Sequence, residues 1–170
     1  YGFNECIKQN LKYWGINNLT NGMFLKDEIS SNLKYIQGGF AGEIIEPTQG
    51  IIPHVQIDHY EDYDFTLQYY KRDLGVLRLN NYCLTTKPWR DGGINASLGG
   101  LNLRKLTMIK NAKYLQDKYG DEYLSIKQKK WGLEPFLNWR HKFIIKNLIA
   151  IPSRGRQNDI KTMNMLETEN

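Results

Sequence analysis

The sequence is poor in the residues that define several classes of protein. It has only two cysteines, Cys6 and Cys83, which lie far apart, and its three histidines have no cysteine at ligand spacing. A structural zinc site is therefore not expected, and because nothing indicates an oxidising compartment, both cysteines are expected as buried thiols. The longest apolar stretch, residues 143–151, is interrupted by Lys146 and Asn147. It falls short of the roughly 20 apolar residues of a membrane-spanning helix, so no such span is expected.

Internal repeats and alanine are also scarce. No repeat of 20 to 50 residues is visible, which excludes solenoids and propellers. Alanine occurs only 4 times, whereas Asn, Ile, Lys and Tyr together account for 60 of the 170 residues. Their codons are A/T-rich, so the skew indicates an A/T-rich genome: an organelle, a phage or a low-GC bacterium. At 170 residues and 41% hydrophobic content, the chain suits one domain with a packed core.

Charge is present in a mild basic excess. The formal net charge is +5, and the positive residues concentrate between Lys105 and Lys161, whereas residues 43–64 are acidic. This distribution favours an anionic partner for the C-terminal half. An ordinary solvated helix surface is the alternative interpretation.

The local patterns predict an α+β domain with an antiparallel sheet of about four strands and C-terminal helices. We expect an N-terminal helical extension over 1–30, the main domain over 31–150 and a basic tail over 151–170. Helices are predicted over part of 1–25 and over 33–43, 61–75, 101–120 and 134–149. Strands are predicted at 53–57, 76–79, 82–86 and 94–97, with a hairpin turn at Asn80-Asn81.

The segment 33–43 contains three glycines, which are costly within a helix. Gly38 and Gly42 stand four residues apart with Ala41 beside them, so one helical face would have almost no side chains and a second helix could pack closely. Glu43 would then end the helix, where a carboxylate opposes the dipole. A divalent cation shared by two such carboxylates would compensate that charge.

The residues Ile36-Gln37-Gly38-Gly39-Phe40-Ala41-Gly42-Glu43-Ile44 resemble the LAGLIDADG motif of homing endonucleases. They match its first apolar residue, third-position glycine, apolar fifth position, small seventh residue and acidic eighth residue. The resemblance extends over 33–145 and implies the family's αββαββα fold. Residues 123–129 resemble its late lysine-bearing segment. Ala41 departs from the acidic sixth position and Ile44 from the glycine at the ninth, which weakens the expectation of cleavage more than that of the fold.

The resemblance implies a Mg²⁺-dependent, site-specific DNA endonuclease that acts as a homodimer. Glu43 would bind Mg²⁺, Lys127 would polarise the scissile phosphate or activate water, and His59 would help to order water. The sheet would read bases in the major groove, with Lys129 and Lys130 beside the nucleic acid. The candidate base-reading residues are Gln56, Asp58, Arg78, Asn80, Thr86 and Arg90.

Two other functions remain open. A LAGLIDADG-like domain without cleavage would bind RNA, as a splicing maturase or as a structural protein of an organellar ribosome. An unrelated α+β binding protein would use the glycine-rich helix for internal packing. The resemblance to this family and the codon skew together suggest that the protein is located in a mitochondrion or plastid. Each site residue also has an ordinary structural interpretation: Glu43 as the ion-pair partner of a lysine, Lys127 on a solvated face, and His59 at a strand end on the surface.

Overall fold

In the part of the chain that the structure describes, the fold combines a four-stranded sheet, a separate hairpin and three α-helices. The computed structural model describes residues 1–19, 21–46, 50–51, 57–85 and 99–142. In chain order the elements are α1 (Gly2–Lys8), β1 (Tyr13–Asn17), β2 (Ile29–Ser30), β3 (Ala41–Glu43), α2 (Glu61–Asp73), β4 (Leu77–Cys83), α3 (Leu101–Tyr119), β5 (Leu124–Lys129) and β6 (Gly132–Leu137). The α+β class predicted from the sequence is confirmed.

The main sheet has the strand order β2-β4-β1-β3. β1 runs antiparallel to β3 but parallel to β4, with Trp14 opposite Leu77. β2 closes the other edge antiparallel to β4. The sheet is therefore mixed, and the prediction of an antiparallel sheet is wrong for the β1–β4 pair.

Strand β1 occupies an interior position of this sheet, although it lies within the segment 1–30 that was expected to form a helical extension. The predicted short helix is present as α1, but the loop expected after it contains β1. Gly15 lies at a close approach, since a Cβ there would stand 2.5 Å from Ile36 Cγ2. The absence of a side chain at Gly15 therefore allows the strand to pack closely on the core.

The segment 33–43 is not a helix, so that prediction is wrong. Residues Gly38–Phe40 form a single 3₁₀ turn, and β3 follows with Glu43 paired opposite Tyr13. Glycine weakens helices, and here the extended backbone of Gly42 pairs with β1 instead. Gly38 and Gly42 consequently share no helical face, and the argument for close packing of two such helices loses its structural basis.

Helices α2 and α3 match the predictions well. α2 begins with Glu61, Asp62 and Asp64 in its first turn, where the helix dipole favours acids. It ends at Leu74, whose φ of 59° is left-handed, rather than at the expected Gly75. α3 lies between Gly100 and Gly120, and both glycines have positive φ. The two helices contribute buried side chains to one core, among them Leu67, Tyr69, Met108, Ala112 and Leu115.

The region from 76 to 86 differs from the predicted hairpin. β4 continues through Asn80-Asn81 as one strand, because β1 and β2 pair with it on either side. The strands predicted at 53–57 and 94–97 lie wholly or almost wholly outside the described residues, as does residue 86.

β5 and β6 form an antiparallel hairpin where part of a helix was predicted. Pro135, expected in the first turn of a helix over 134–149, lies within β6 opposite Ile126. The hairpin packs on α3, and the Tyr60 hydroxyl donates a hydrogen bond of 2.7 Å to the Leu133 carbonyl. The helix prediction is wrong for 134–137, and residues 143–170 lie outside the described ranges.

Two expectations about the whole chain can be compared with the described residues. No described helix has the length and apolar character needed to cross a membrane. Both cysteines are free thiols, and Cys6 is buried whereas Cys83 is only partly so.

Candidate nucleic-acid interface

One face of the β5–β6 hairpin presents cations beside an aromatic ring. Ser125, Lys127 and Lys129 alternate along β5 and therefore point to the same side. The register places Lys127 opposite Glu134 and Ser125 opposite Phe136, so these partners share that face. Lys127 Nζ lies 4.3 Å from the centre of the Phe136 ring, and Lys129 Nζ lies 4.9 Å from it. Neither lysine forms an ion pair with a described residue.

A second aromatic side chain extends this cationic surface just after β6. Trp139 is 53% exposed, a large fraction for an indole. Lys34 Nζ lies 5.0 Å from its ring centre and Arg140 Cζ lies 4.8 Å from it. Both cations lie over the indole ring, so a base stacks on Trp139 when one of them moves off the ring face to meet a neighbouring phosphate.

Lys34 and Arg78 bring two positive charges close together. Burial, and then the charge of Arg78, lowers the pKa of Lys34, and burial also lowers the pKa of Arg78. Asn80 accepts a 2.7 Å hydrogen bond from Arg78 Nε and donates one to Ser30 Oγ. Because Asn80 is only 3% exposed, it positions Arg78 rather than facing a ligand.

These residues line three cavities, each of which shares lining side chains with the next, and we call the three together the groove. The first, of about 390 Å³, contains Lys127 and Arg140, and it shares Phe136, Leu137 and Trp139 with the second, of about 560 Å³. We call these two cavities the basic end.

The second cavity also contains Lys34 and Arg78, and it shares Asn18, Tyr35 and Tyr63 with the third. We call this third cavity, of about 480 Å³, the acidic cleft.

The acidic cleft collects titratable groups from α2, α3 and β6. Its lining includes His59, Glu61, Asp62, Arg104 and Glu134. Burial and the charge of Arg104 lower the pKa of His59 to about 4. Burial raises the pKa of Asp62 to about 6, against a hydrogen bond from the Tyr35 hydroxyl. Burial also raises the pKa of Glu134. His59 is thus neutral at pH 7, in a cleft that also holds three carboxyl groups and one guanidinium.

Glu43 lies apart from the basic end. Its carboxylate accepts a 2.7 Å hydrogen bond from the Tyr69 hydroxyl and forms no ion pair with a described residue. It lines a cavity of about 360 Å³ together with Glu61 and Asp62. Across the described ranges, no three His, Cys, Asp or Glu side chains are grouped so that they could hold a metal ion.

The structure brings together some of the site residues predicted from sequence and separates others. Lys127 and Arg78 line the basic end and His59 the acidic cleft, and Glu43 lines a fourth cavity that shares Glu61 and Asp62 with the acidic cleft. Lys129 shares the hairpin face and contacts Phe136. The remaining described candidates are Asp58, exposed in the bend before α2, and Lys130, exposed in the turn between β5 and β6. Gln56, Thr86 and Arg90 lie outside the described residues.

Sequence reasoning missed several groove residues, namely Lys34, Tyr35, Asp62, Glu134, Phe136, Trp139 and Arg140. The Trp139-Arg140 pair carried a usable signal, because an aromatic beside a cation is typical of surfaces that bind single strands. Lys127 and Lys129 carried a second signal, because residues two positions apart in a strand lie on the same face.

Fold and site together define an α+β protein with a groove that is cationic and aromatic at one end and acidic at the other. Compared with protein-family models, curated proteins and solved structures, the chain matches none.

Proposed function

We propose that this protein binds single-stranded nucleic acid along the groove. The observation that carries the proposal is the exposed indole of Trp139 with Lys34 and Arg140 within 5.0 Å of its ring. Aromatic stacking of one base contributes about 1–3 kcal/mol and tolerates any sequence. The basic end adds Lys127 and Arg78 for contacts with the phosphates of the strand, and Lys129 adds a third cation on the same hairpin face.

The arrangement favours a flexible strand over a rigid duplex. The cations lie within and beside cavities that share side chains with one another, and Trp139 offers a ring face that a base inside a duplex cannot reach. A single strand can present phosphates to Lys127 and a base to Trp139 at the same time. This interface differs from the predicted reading of a major groove by the main sheet.

The test compares the full chain with the variant Trp139→Leu in binding to fluorescein-labelled single-stranded DNA, single-stranded RNA and duplex DNA. We expect the wild type to prefer a single strand, and Trp139→Leu to bind it about 10-fold more weakly because stacking is lost. Anisotropy titrations at several salt concentrations measure both effects.

Tyr82→Leu is the matched control, because Tyr82 is an exposed aromatic on β4 that lines an apolar cavity away from the groove. It should bind as the wild type does. Equal losses in both variants, or tighter binding of duplex than of single strand, would refute the proposal.

Mg²⁺-dependent DNA cleavage by a homodimer with the αββαββα fold of LAGLIDADG homing endonucleases is a second proposal. It is supported by the three carboxylates, Glu43, Glu61 and Asp62, that line one cavity. The residues resembling the motif are a 3₁₀ turn and a strand, and the described carboxylates of one chain form no metal site. A cation at Glu43 would therefore need ligands from elsewhere, such as a second copy.

A library of duplex sites incubated with Mg²⁺ and either the wild type or Glu43→Gln tests this second proposal. Cleavage by the wild type that the variant loses would support it. A protein that is monomeric at micromolar concentration and leaves every duplex intact would eliminate it, whereas retained binding to RNA would favour the maturase or ribosomal alternative.

A further inference from the structure

We propose that the acidic cleft binds one unpaired guanine base of the strand that the basic end holds. This inference rests on the proposed function and adds base selectivity to it. The cleft adjoins the basic end through Asn18, Tyr35 and Tyr63, which line both cavities. A strand that passes Trp139 can therefore place a neighbouring nucleotide over the cleft without leaving the groove.

The cleft has aromatic walls on which a base can stack. Tyr35 and Tyr63 lie with ring centres 4.3 Å apart, and Tyr60 meets Tyr63 edge-on at 5.6 Å. The Tyr60 hydroxyl is held by Leu133 of β6, and Asn111 of α3 donates to the His59 carbonyl. Trp131, 38% exposed, lines the same cavity. The walls are thus fixed by α2, α3 and β6, and a cleft of about 480 Å³ admits a purine.

The charged groups in the cleft complement the two edges of guanine. Guanine presents N1–H and N2–H₂ as donors on one edge, and O6 and N7 as acceptors on another. Glu134 forms no hydrogen bond with a described residue, so its carboxylate is available to accept from the donor edge. Arg104, from α3, is the guanidinium that would meet O6 and N7.

These groups converge on one side chain, which places them in the same small volume. The pKa of Tyr60 is raised by burial and then by the charge of Glu134, with a smaller contribution from Asp62, and it is lowered by Arg104. Glu134, Arg104, Asp62 and Tyr60 all line the acidic cleft.

The charge of the cleft indicates a base rather than a phosphate. Glu61, Asp62 and Glu134 outnumber Arg104, and His59 is neutral at pH 7. A phosphate would be repelled there, whereas Lys34, Arg78 and Lys127 lie along the basic end. The strand's backbone would remain at the basic end while a base turns into the cleft. An organic cation is the competing ligand, and the test includes it.

The experiment uses the full chain and nine-nucleotide single-stranded DNAs of thymine with one central guanine, hypoxanthine or adenine. We expect the guanine strand to bind about 10-fold more tightly than all-thymine DNA, and the hypoxanthine strand to fall between them because it lacks the N2 amino group. Glu134→Gln should reduce the guanine advantage, taken as the ratio of guanine-strand to all-thymine affinity in the same variant, to less than 2-fold. Glu122→Gln, at an exposed position outside the groove, is the matched control.

The possible outcomes separate this inference from the proposed function. Equal binding of guanine and thymine strands overturns the cleft inference alone, and so does a guanine advantage that persists in Glu134→Gln. If no strand binds, calorimetric titration with free guanosine tests the cleft directly. Uptake by the wild type and not by Glu134→Gln then supports the cleft while the proposed function fails. Spermidine binding that Glu134→Gln abolishes, with no uptake of guanosine, would identify an organic-cation site and refute the inference.

Discussion

The backbone of Gly42 packs against the indole of Trp14 and leaves no room for a side chain. A Cβ on Gly42 would lie under 3.0 Å from Trp14 Nε1, and a Cβ on Gly2 would come within the same limit of the ring. Phe3 and Phe40 meet the indole edge-on, with ring centres at 5.4 and 5.9 Å. The indole thus joins α1, β1 and β3.

Gly42→Ala should destabilise the fold through this contact. The added methyl group must displace Trp14 or the β3 backbone, and overpacking of this kind costs about 1–3 kcal/mol. Urea unfolding followed by fluorescence measures the loss. Gly22→Ala serves as the control because a Cβ there meets nothing within 4 Å, and equal stability of both variants would contradict the expectation.

An ion pair joins the fully buried Asp64 of α2 to Lys118 of α3, whose side chain is 30% exposed. Asp64 accepts hydrogen bonds from Lys118 Nζ at 2.8 Å and from the Tyr119 hydroxyl at 2.6 Å. Lys118→Met removes a charged donor from that carboxylate, so it should lower the free energy of unfolding by about 1.5–3 kcal/mol. Lys113→Met, at an exposed position on the same helix, should change it by less than about 0.5 kcal/mol in the same denaturant assay.

Asp62 and His59 should give opposite pH dependences of stability. Asp62 has its pKa raised from 3.8 to about 6, so its folded form holds a proton that the unfolded chain has lost, and its contribution falls as pH rises from 4 to 6. His59 has its pKa lowered from 6.5 to about 4, so its contribution is complete above pH 6.5 and is lost as pH falls towards 4. In the wild type these two slopes largely cancel.

Single variants should reveal each slope. Relative to the wild type, Asp62→Asn should gain stability with rising pH between 4 and 6, whereas His59→Gln should lose it. Each change should be on the order of 1–3 kcal/mol. Thermal unfolding at half-unit pH steps measures both differences. If the stability of both variants changes with pH between 4 and 6 as that of the wild type does, neither group titrates as described.

Lys127 should contribute to the salt dependence of binding. If its ammonium group neutralises one phosphate, Lys127→Gln should lower the slope of log K against log salt by about 0.7 for a single strand. Lys113→Gln has the same net charge as Lys127→Gln, but it changes an exposed site on α3 and should leave the slope at the wild-type value. Anisotropy at four salt concentrations resolves the difference, and equal slopes for both variants would place Lys127 outside the contact.

The two thiols should differ in reactivity. Burial raises the pKa of the Cys6 thiol to about 11, with a further increase from the charge of Asp73, whereas Cys83 is only partly buried. A colorimetric disulfide reagent at pH 8 should modify Cys83 in the native protein and Cys6 only after denaturant is added. Modification of both at similar rates without denaturant would contradict this expectation.

The parts of the fold that local signals specify were predictable. α2 carries acids in its first turn and α3 is bounded by Gly100 and Gly120, and both lie where the sequence predicts them. Their boundaries depend on residues close in sequence, so no tertiary information was needed.

The errors occur where distant residues decide the structure. Gly42 lies in a strand because β1, some thirty residues earlier, pairs with it, and Asn80 continues β4 because Lys26 and Glu28, some fifty residues earlier, hydrogen-bond to its backbone. Pro135 is typical of a first helical turn, yet it lies within an outer strand of a two-stranded hairpin, where a missing N–H is tolerated.

The groove was only partly predictable for the same reason. Lys127 and Arg78 could be named as cations, but their relation to Trp139 and Lys34 depends on how the hairpin packs. The acidic cleft could not be predicted, since Asp62, Arg104 and Glu134 come from three elements that meet only in the folded chain.

The parallel pairing of β1 with β4 has a consequence for how the chain folds during synthesis. Trp14 pairs with Leu77, so β1 is synthesised more than sixty residues before β4, the parallel strand with which it pairs. Contacts of such long range are slow to form, because the intervening chain must first be ordered. The nascent N-terminal segment therefore exposes the apolar face of β1 until α2 and β4 have both been made, and this interval is when the protein is most exposed to aggregation.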